Sequence, residues 1–374
     1  MSDTITGILK RTDSRQFVVR TALRSYRKEH CEITVPPKLA AQYALTEGAA
    51  VTGPVERKKG RARLLSIETL GGIEPKAFEK RPRFSDMVAI DPHQRFDLGL
   101  SGNMSMRIID LIAPIGKGTR QLIVSPPKAG KTVLLEQMAV AINKCSPETR
   151  IIVLLIDERP EEVTQFRRTA NCAEVIASTS DQTADEHVEI AELMLSHVQV
   201  ELECGREVVV LIDSLTRIGR AFNNCRRRKG QRKRSTMSGG LESGAMEIPR
   251  RLFGLARTIE NAGSVTIVAT CLINTGSRMD QLIFEEFKGT GNSEVVLDRS
   301  LAEARIFPAI DIPASGTRKE AKLYTAEHQQ GLITLRRVLS NYGAKDAIKN
   351  LFKLLNKFPD NSKFLESISA VNNQ

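Results

Sequence analysis

No stretch of the chain stays apolar for the roughly 20 residues that a membrane-spanning helix needs, so no membrane partner is expected. The opening segment, MSDTITGILKR, has none of the long apolar core of a secretory signal. Cysteine is sparse: residues 31, 145, 172, 204, 225 and 271 stand far apart, with no C-x-x-C pair among them. That spacing argues against a disulfide framework and a zinc site, and points to the reducing cytoplasm. The five histidines are equally scattered, so no histidine-based metal site is expected. Aromatics are scarce toward the N-terminus, where Phe17, Tyr26 and Tyr43 are the only ones before residue 74.

What is present is a chain of 374 residues, long enough for two domains, with an ordinary apolar share of 41%. The net charge of +11 is unevenly spread, because RRRKGQRKR, Arg226 to Arg234, puts seven cations into nine residues. A basic excess favours polyanions such as nucleic acid, while a run of this kind also serves simply as a solvated loop.

Two parts follow one another. Residues 1–73 read as β-rich segments, GILKR, QFVVRTAL, CEITV, AAVTGPVE and ARLLSIETL, separated by Pro, Gly and charge. PPKLAAQYALTEG, between the third and fourth, allows a helical turn. Such spacing fits a small barrel of the OB or cold-shock type, or another small β-domain serving as an interaction module. Residues 74–104, rich in Pro and charge, read as a linker packed along a neighbour. From 105 to 374, apolar strand-like runs such as RQLIVS, RIIVLLID, EVVVLIDS and SVTIVATCLI alternate with helical patterns. That alternation predicts an α/β domain with a parallel sheet covered on both faces.

The chemistry concentrates at strand ends. SPPKAGKT, Ser125 to Thr132, follows RQLIVS and precedes a helix, the context a phosphate-binding loop requires. Ser125 replaces the usual first glycine, and Pro126 and Pro127 lack N–H groups but stiffen the entrance. Backbone amides do most of the cradling. Ser125, Pro126, Pro127, Lys128, Ala129, Gly130, Lys131, Thr132 and Val133 are therefore the expected nucleotide-binding residues. Lys131 reaches the β- and γ-phosphates, and the Thr132 hydroxyl suits Mg²⁺. Asp213 ends another strand as a metal-associated carboxylate, and Glu158 ends a third as the candidate base for an attacking water. The expected ligands are ATP and Mg²⁺. Downstream, TGSRMD with Arg278 and FKGTGN with Lys288 are expected near the same end of the sheet, against phosphate or nucleic acid. Phe307 offers an aromatic face for a base. Arg318, in a ring, would complete a neighbour's site as an arginine finger.

Taken in order, DLIAPIGKGTRQLIVSPPKAGKT, VLLIDERPEEVT, LIDSLTR, SGGLES, GTGN and RIFPAIDIPASGTRKE resemble the Rho family of bacterial transcription termination factors. Those are ring-shaped RNA-dependent ATPases and helicases. The resemblance covers most of 105–374. It implies a RecA-like P-loop ATPase domain behind the small barrel, a homohexamer, single-stranded RNA as ligand and the RNA polymerase elongation complex as target. It assigns Lys128 and Lys131 as loop lysines, Glu158 as the catalytic glutamate with Arg159 beside it, and Arg217 as an active-site arginine. Phe307 becomes the adenine-stacking ring and Arg318 the finger. Arg278 falls in a channel-lining loop at a position usually held by lysine, and Lys288 near that channel.

The departures from the family are specific. The barrel begins almost at Met1, so the usual N-terminal helical bundle is expected to be missing. An aromatic GFGF-like strand is replaced by DSRQFVVR, which leaves Phe17 with Arg20 as the expected RNA contacts of the barrel. Base–aromatic stacking contributes about 1–3 kcal/mol per base, so fewer faces imply a weaker or altered primary RNA site. Arg15, Arg20, Arg24, Arg57, Lys58, Lys59, Arg61 and Arg63 would compensate through phosphate contacts with steeper salt dependence. The second channel loop, CRRRKGQRKRSTMSGG, is longer and more basic than the family's, and Arg234 is its expected RNA contact. The main expectation is thus RNA translocation and termination. The alternatives are a paralogue that binds RNA or another polyanion with little helicase action, and a binding module that hydrolyses little ATP.

Overall fold

A computed structural model describes residues 3–12, 14, 16–58, 60–225, 239–242 and 244–372. Arg15, Lys59 and the basic run with Arg234 lie outside them.

The N-terminal β-rich segments form strands β1 (Asp3–Arg11), β2 (Phe17–Arg20), β3 (Ile33–Thr34), β4 (Ala50–Lys58) and β5 (Arg61–Leu64). They pair in the order β1-β2-β3-β5-β4, and β4 returns to β1, closing a barrel. Alternation does the folding: Val51 and Val55 on β4 and Ala62 and Leu64 on β5 point inward to join Leu9, Val19 and Ile33. The intervening residues on β5, Arg61 and Arg63, face solvent. PPKLAAQ gives the short helix Pro37–Gln42, with proline at its first position where no N–H is needed. Strand β6 (Thr69–Leu70) adds to β4.

The second part is a mixed sheet built from β7 (Ala89–Ile90), β8 (Arg120–Ser125), β9 (Arg150–Glu158), β10 (Glu174–Thr179), β11 (Glu207–Asp213), β12 (Arg257–Ile259), β13 (Ser264–Leu272), β14 (Ser293–Leu297) and β15 (Ile310–Thr317). Its main path runs β10-β9-β11-β13-β8-β14-β15. From β10 to β14 every pairing on this path is parallel, and β15 runs antiparallel to β14. The near-continuous apolar strands are explained by burial on both faces. Ile151, Val153 and Leu155 pack under the helix Lys131–Cys145, and Ile152, Leu154 and Ile156 pack under the helices Ala184–Glu203 and Leu215–Asn224. The parallel strands bring Ser125, Glu158, Asp213 and Leu272 to one rim.

The barrel is bolted to this sheet. Edge strand β10 presents Ala177 to the barrel: its N–H donates to Ser25 Oγ at 3.1 Å, and its carbonyl accepts from Arg27 Nη2 at 3.1 Å. Gly48, at φ +87°, lies so close that a Cβ would sit 2.3 Å from the Ser196 carbonyl carbon, while His197 Nδ1 donates to the Gly48 carbonyl at 2.7 Å. Between barrel and sheet, Arg81 stacks on Phe78 at 3.7 Å and pairs with Glu203 at 2.9 Å, and β7 joins β12. No helix among the described residues is long and apolar enough to cross a membrane.

Candidate nucleotide-binding site

Strand β8 delivers the loop Pro126–Gly130 to the rim, and the helix Lys131–Cys145 leaves it. Gly130 has φ +91° and Lys128 φ +66°, so the loop closes through two left-handed residues, one of which carries a side chain. Ser125 is fully buried and donates to its neighbour's carbonyl, Pro126 O, at 2.9 Å. Its hydroxyl thus secures the start of the loop rather than facing outward. Lys128 is exposed, as is Val133 on the first turn of the helix.

Lys131 Nζ contacts both Asp213 carboxylate oxygens at 2.6 Å and Glu158 Oε1 at 3.3 Å. Thr132 Oγ1 donates to Asp213 Oδ2 at 3.1 Å, and Thr270 Oγ1 donates to Asp213 Oδ1 at 2.8 Å. Glu158 is 2% exposed and Asp213 is fully buried. Arg217 closes the other flank, with Nε 3.1 Å and Nη2 3.4 Å from the Glu158 carboxylate. Two buried carboxylates therefore share one ammonium. Burial and the Asp213 charge push the Glu158 carboxyl up to about 7, against the pull of Lys131 and Arg217. For Lys131, burial draws the ammonium down, but Asp213 and Glu158 outweigh it and hold the group above its usual range.

Phe307 stands at 49% exposure beside the loop, with ring atoms 3.7 Å from where a Gly130 Cβ would lie. It shares a cleft of about 340 Å³ with Lys128, Gly130, Val133 and Gln137. The sequence separates Phe307 from the loop by most of a domain, and β14 and β15 bring them together. Arg159 is exposed at the cap of the helix Pro160–Thr169.

The other predicted residues divide. Arg278 begins the helix Arg278–Phe287 at the same rim, exposed, on a turn fixed by Asp280, which accepts from Thr275 Oγ1 at 2.6 Å and Arg220 Nε at 2.7 Å. Lys288 does not lie there. The helix carries the chain about 15 Å back across the sheet, so Lys288 precedes the start of β14, and Asn292 Oδ1 accepts from Arg120 N at the opposite rim. The expectation that both cations share the nucleotide end is corrected for Lys288. Arg318 is also at that far rim: β15 is antiparallel to β14, Thr317 pairs with Ser293, and Arg318 N donates to Asn292 O at 2.7 Å. Arg318 therefore faces away from its own chain's Lys131.

In the barrel, Phe17 is half-buried against the core. Arg20 is 5% exposed, and its guanidinium bonds Glu32 at 3.2 Å, Glu189 at 3.0 Å and the Tyr26 carbonyl at 3.3 Å. These bonds use Nε and Nη1, and Glu189 lies on the ATPase domain, so Arg20 ties the two parts together. Arg24, Arg57, Lys58, Arg61 and Arg63 are exposed. Sequence reasoning missed Thr270, Asp280 and Arg220. Their roles come from strand pairing and helix packing, and no local motif announces them.

A strand-loop-helix bearing a half-buried lysine, a hydroxyl and two buried strand-end carboxylates, on a parallel sheet in this order, defines a RecA-like P-loop ATPase. Residues 105–317 match the ATP synthase alpha/beta family nucleotide-binding domain. The fold is also that of a solved ATPase from a bacterial type III secretion system, with a TM-score of 0.64 at 24% identity, over 85% of this chain and 94% of that one. The transcription termination factor Rho of Cereibacter sphaeroides is 42% identical over 97% of this chain and 87% of its own length. Its counterpart in Aquifex aeolicus is 42% identical over 98% and 85%. The Micrococcus luteus protein of the same name is 42% identical over 98%, and the chain spans 54% of its length. The chain belongs to the Rho family of transcription termination factors.

Proposed function

We propose that this chain is an RNA-dependent ATPase and 5′–3′ RNA helicase. In this reading it works as a homohexameric ring in the cytoplasm, draws in nascent single-stranded RNA and terminates transcription at the RNA polymerase elongation complex. The observation that carries the reading is Glu158, a buried carboxyl raised to about 7 and set 3.3 Å from Lys131. A base poised near neutrality is what proton removal from an attacking water requires.

ATP enters with its adenine against Phe307 and its phosphates on the loop amides and Lys131. Lys131 then exchanges the two carboxylates for phosphate oxygens, which leaves Glu158 free to accept a proton and Arg217 to hold its orientation. Thr132 and Asp213 offer a hydroxyl and a carboxylate 3.1 Å apart, hard oxygen donors suited to Mg²⁺, which when bound neutralises phosphate charge. Arg318, turned from its own site, supports a role at a neighbour's in a ring. RNA contacts are assigned to Arg278 at the nucleotide rim, to Lys288 at the other rim and to the exposed barrel cations with Phe17.

ATP hydrolysis measured with and without poly(C) tests this. The expected outcome is RNA-stimulated turnover abolished by Lys131→Ala, and turnover indifferent to both would refute it. A second reading, a paralogue that binds RNA with little helicase action, is favoured by the engagement of Arg20 in ion pairs. Release of a transcript from a stalled polymerase separates the two.

A further inference from the structure

Strands β9 and β10 pair in step up to Ile156 opposite Ser178, but the next pair is Glu158 opposite Thr179. Asp157 is thus an extra residue, a bulge, and its φ of +58° is left-handed. Alternation along β9 sends Ile151, Val153 and Leu155 to the core beneath the phosphate-loop helix, and Ile152, Leu154 and Ile156 to the opposite core. Continued without a break, it would turn Asp157 toward the loop and Glu158 away from it. The bulge reverses this assignment. Glu158 meets Lys131, and Asp157 falls among Arg217 and His187.

The side chain of Asp157 is gripped where it falls. Arg217 Nη1 donates to the Asp157 carbonyl at 2.5 Å and to Oδ2 at 3.2 Å, while Nη2 of the same guanidinium reaches Glu158. His187 is 6% exposed, with Nε2 4.0 Å from Asp157 Oδ1 and Nδ1 2.5 Å from Ser178 Oγ. Ser178 donates its hydroxyl proton to Gln182 Oε1 at 3.1 Å, so it accepts from His187 Nδ1 and fixes the ring. On the far side, Ser180 N donates to the Glu158 carbonyl at 2.9 Å.

We propose that Asp157 is a positioning residue for hydrolysis: clasped by Arg217, it holds the bulge that turns Glu158 onto the nucleotide face. The proposal rests on the reading of Glu158 as the base. Backbone and side chain make opposite demands, which allows a clean test. Glycine takes φ +58° without strain but loses the carboxylate, whereas asparagine tolerates that φ and keeps an oxygen for Arg217.

The experiment measures kcat and KM for ATP at saturating RNA, together with melting temperature, for Asp157→Gly, Asp157→Asn and Glu158→Gln. The expected result for Asp157→Gly is a kcat lower by about 30-fold or more, since small misplacements of a reacting group cost up to about 100-fold. Its KM should stay within about two-fold and its melting temperature at or above native, and Asp157→Asn should recover most of the rate. Native kcat in Asp157→Gly, or Asp157→Asn as slow as Asp157→Gly, overturns the proposal. If Glu158→Gln turns over at the native rate, the reading of Glu158 fails first and the proposal with it. An inactive Glu158→Gln beside a fully active Asp157→Gly sinks the proposal alone.

Discussion

Replacing Glu158 by glutamine should change how stability depends on pH, and in a direction opposite to that of most salt-bridged carboxylates. The native state raises this carboxyl from an ordinary 4.5 to about 7. The folded protein therefore holds the proton more tightly than the unfolded chain does. The contribution to stability is fully present below the unfolded value, declines as pH climbs from about 4.5 to 7, and is lost above it. At 1.36 kcal/mol per pH unit, the ionised side chain costs the fold about 3 kcal/mol at high pH. Glutamine has the same shape and cannot ionise, so Glu158→Gln escapes this decline. Denaturant unfolding of both proteins at pH 5 and pH 8.5 should show the variant gaining roughly 2–3 kcal/mol on the native protein between the two conditions. The cause is burial of Glu158 and, after it, the nearby charge of Asp213, which Lys131 and Arg217 only partly relieve. An equal stability difference at both pH values would refute that account of the site.

Phe307→Ala should raise KM for ATP about tenfold with kcat within about two-fold, as expected when base–aromatic stacking of about 1–3 kcal/mol is removed, and steady-state ATPase kinetics would read it. Arg318→Ala subunits and Lys131→Ala subunits should each be inactive alone yet regain part of the turnover when mixed, because each supplies what the other's site lacks, and a mixture as dead as its parents contradicts the trans role. Arg20→Ala should lower stability by about 2 kcal/mol through the stranding of Glu189 and Glu32 while leaving RNA affinity within about two-fold. Arg61→Ala with Arg63→Ala should instead weaken RNA binding and flatten its log–log salt slope by about 0.7 for each phosphate no longer neutralised, as filter binding across a salt series would show.

The parts of this molecule legible in the sequence are those written contiguously. The phosphate loop was readable because strand, loop and helix follow one another, and the barrel was readable because its alternation repeats between turn residues. Asp213 and Glu158 were readable because apolar runs end in acids. Lys288 was misplaced because a Gly-rich loop looks the same at either rim, and only the length and direction of the preceding helix decide which one it joins. The ion pairs of Arg20 are not legible in the sequence because its acids lie 12 and 169 residues away, and burial of a cation leaves no local signature. The bulge at Asp157 is invisible in β9 alone, since it exists only in register with β10.

The way Ser25 and Arg27 occupy both backbone groups of Ala177 also bears on how the protein can be dissected. β10 is the last strand of its sheet, and its outward amide and carbonyl are what a stray strand would otherwise pair with. The barrel is therefore a cover for a sticky edge. An ATPase domain cut free at residue 74 would carry that edge bare, together with the uncapped surface around Gly48's seat on the helix Ala184–Glu203. Such a fragment should self-associate through its sheet even if its nucleotide site is intact, so its solution behaviour would report the missing cover and not the assembly of the whole chain.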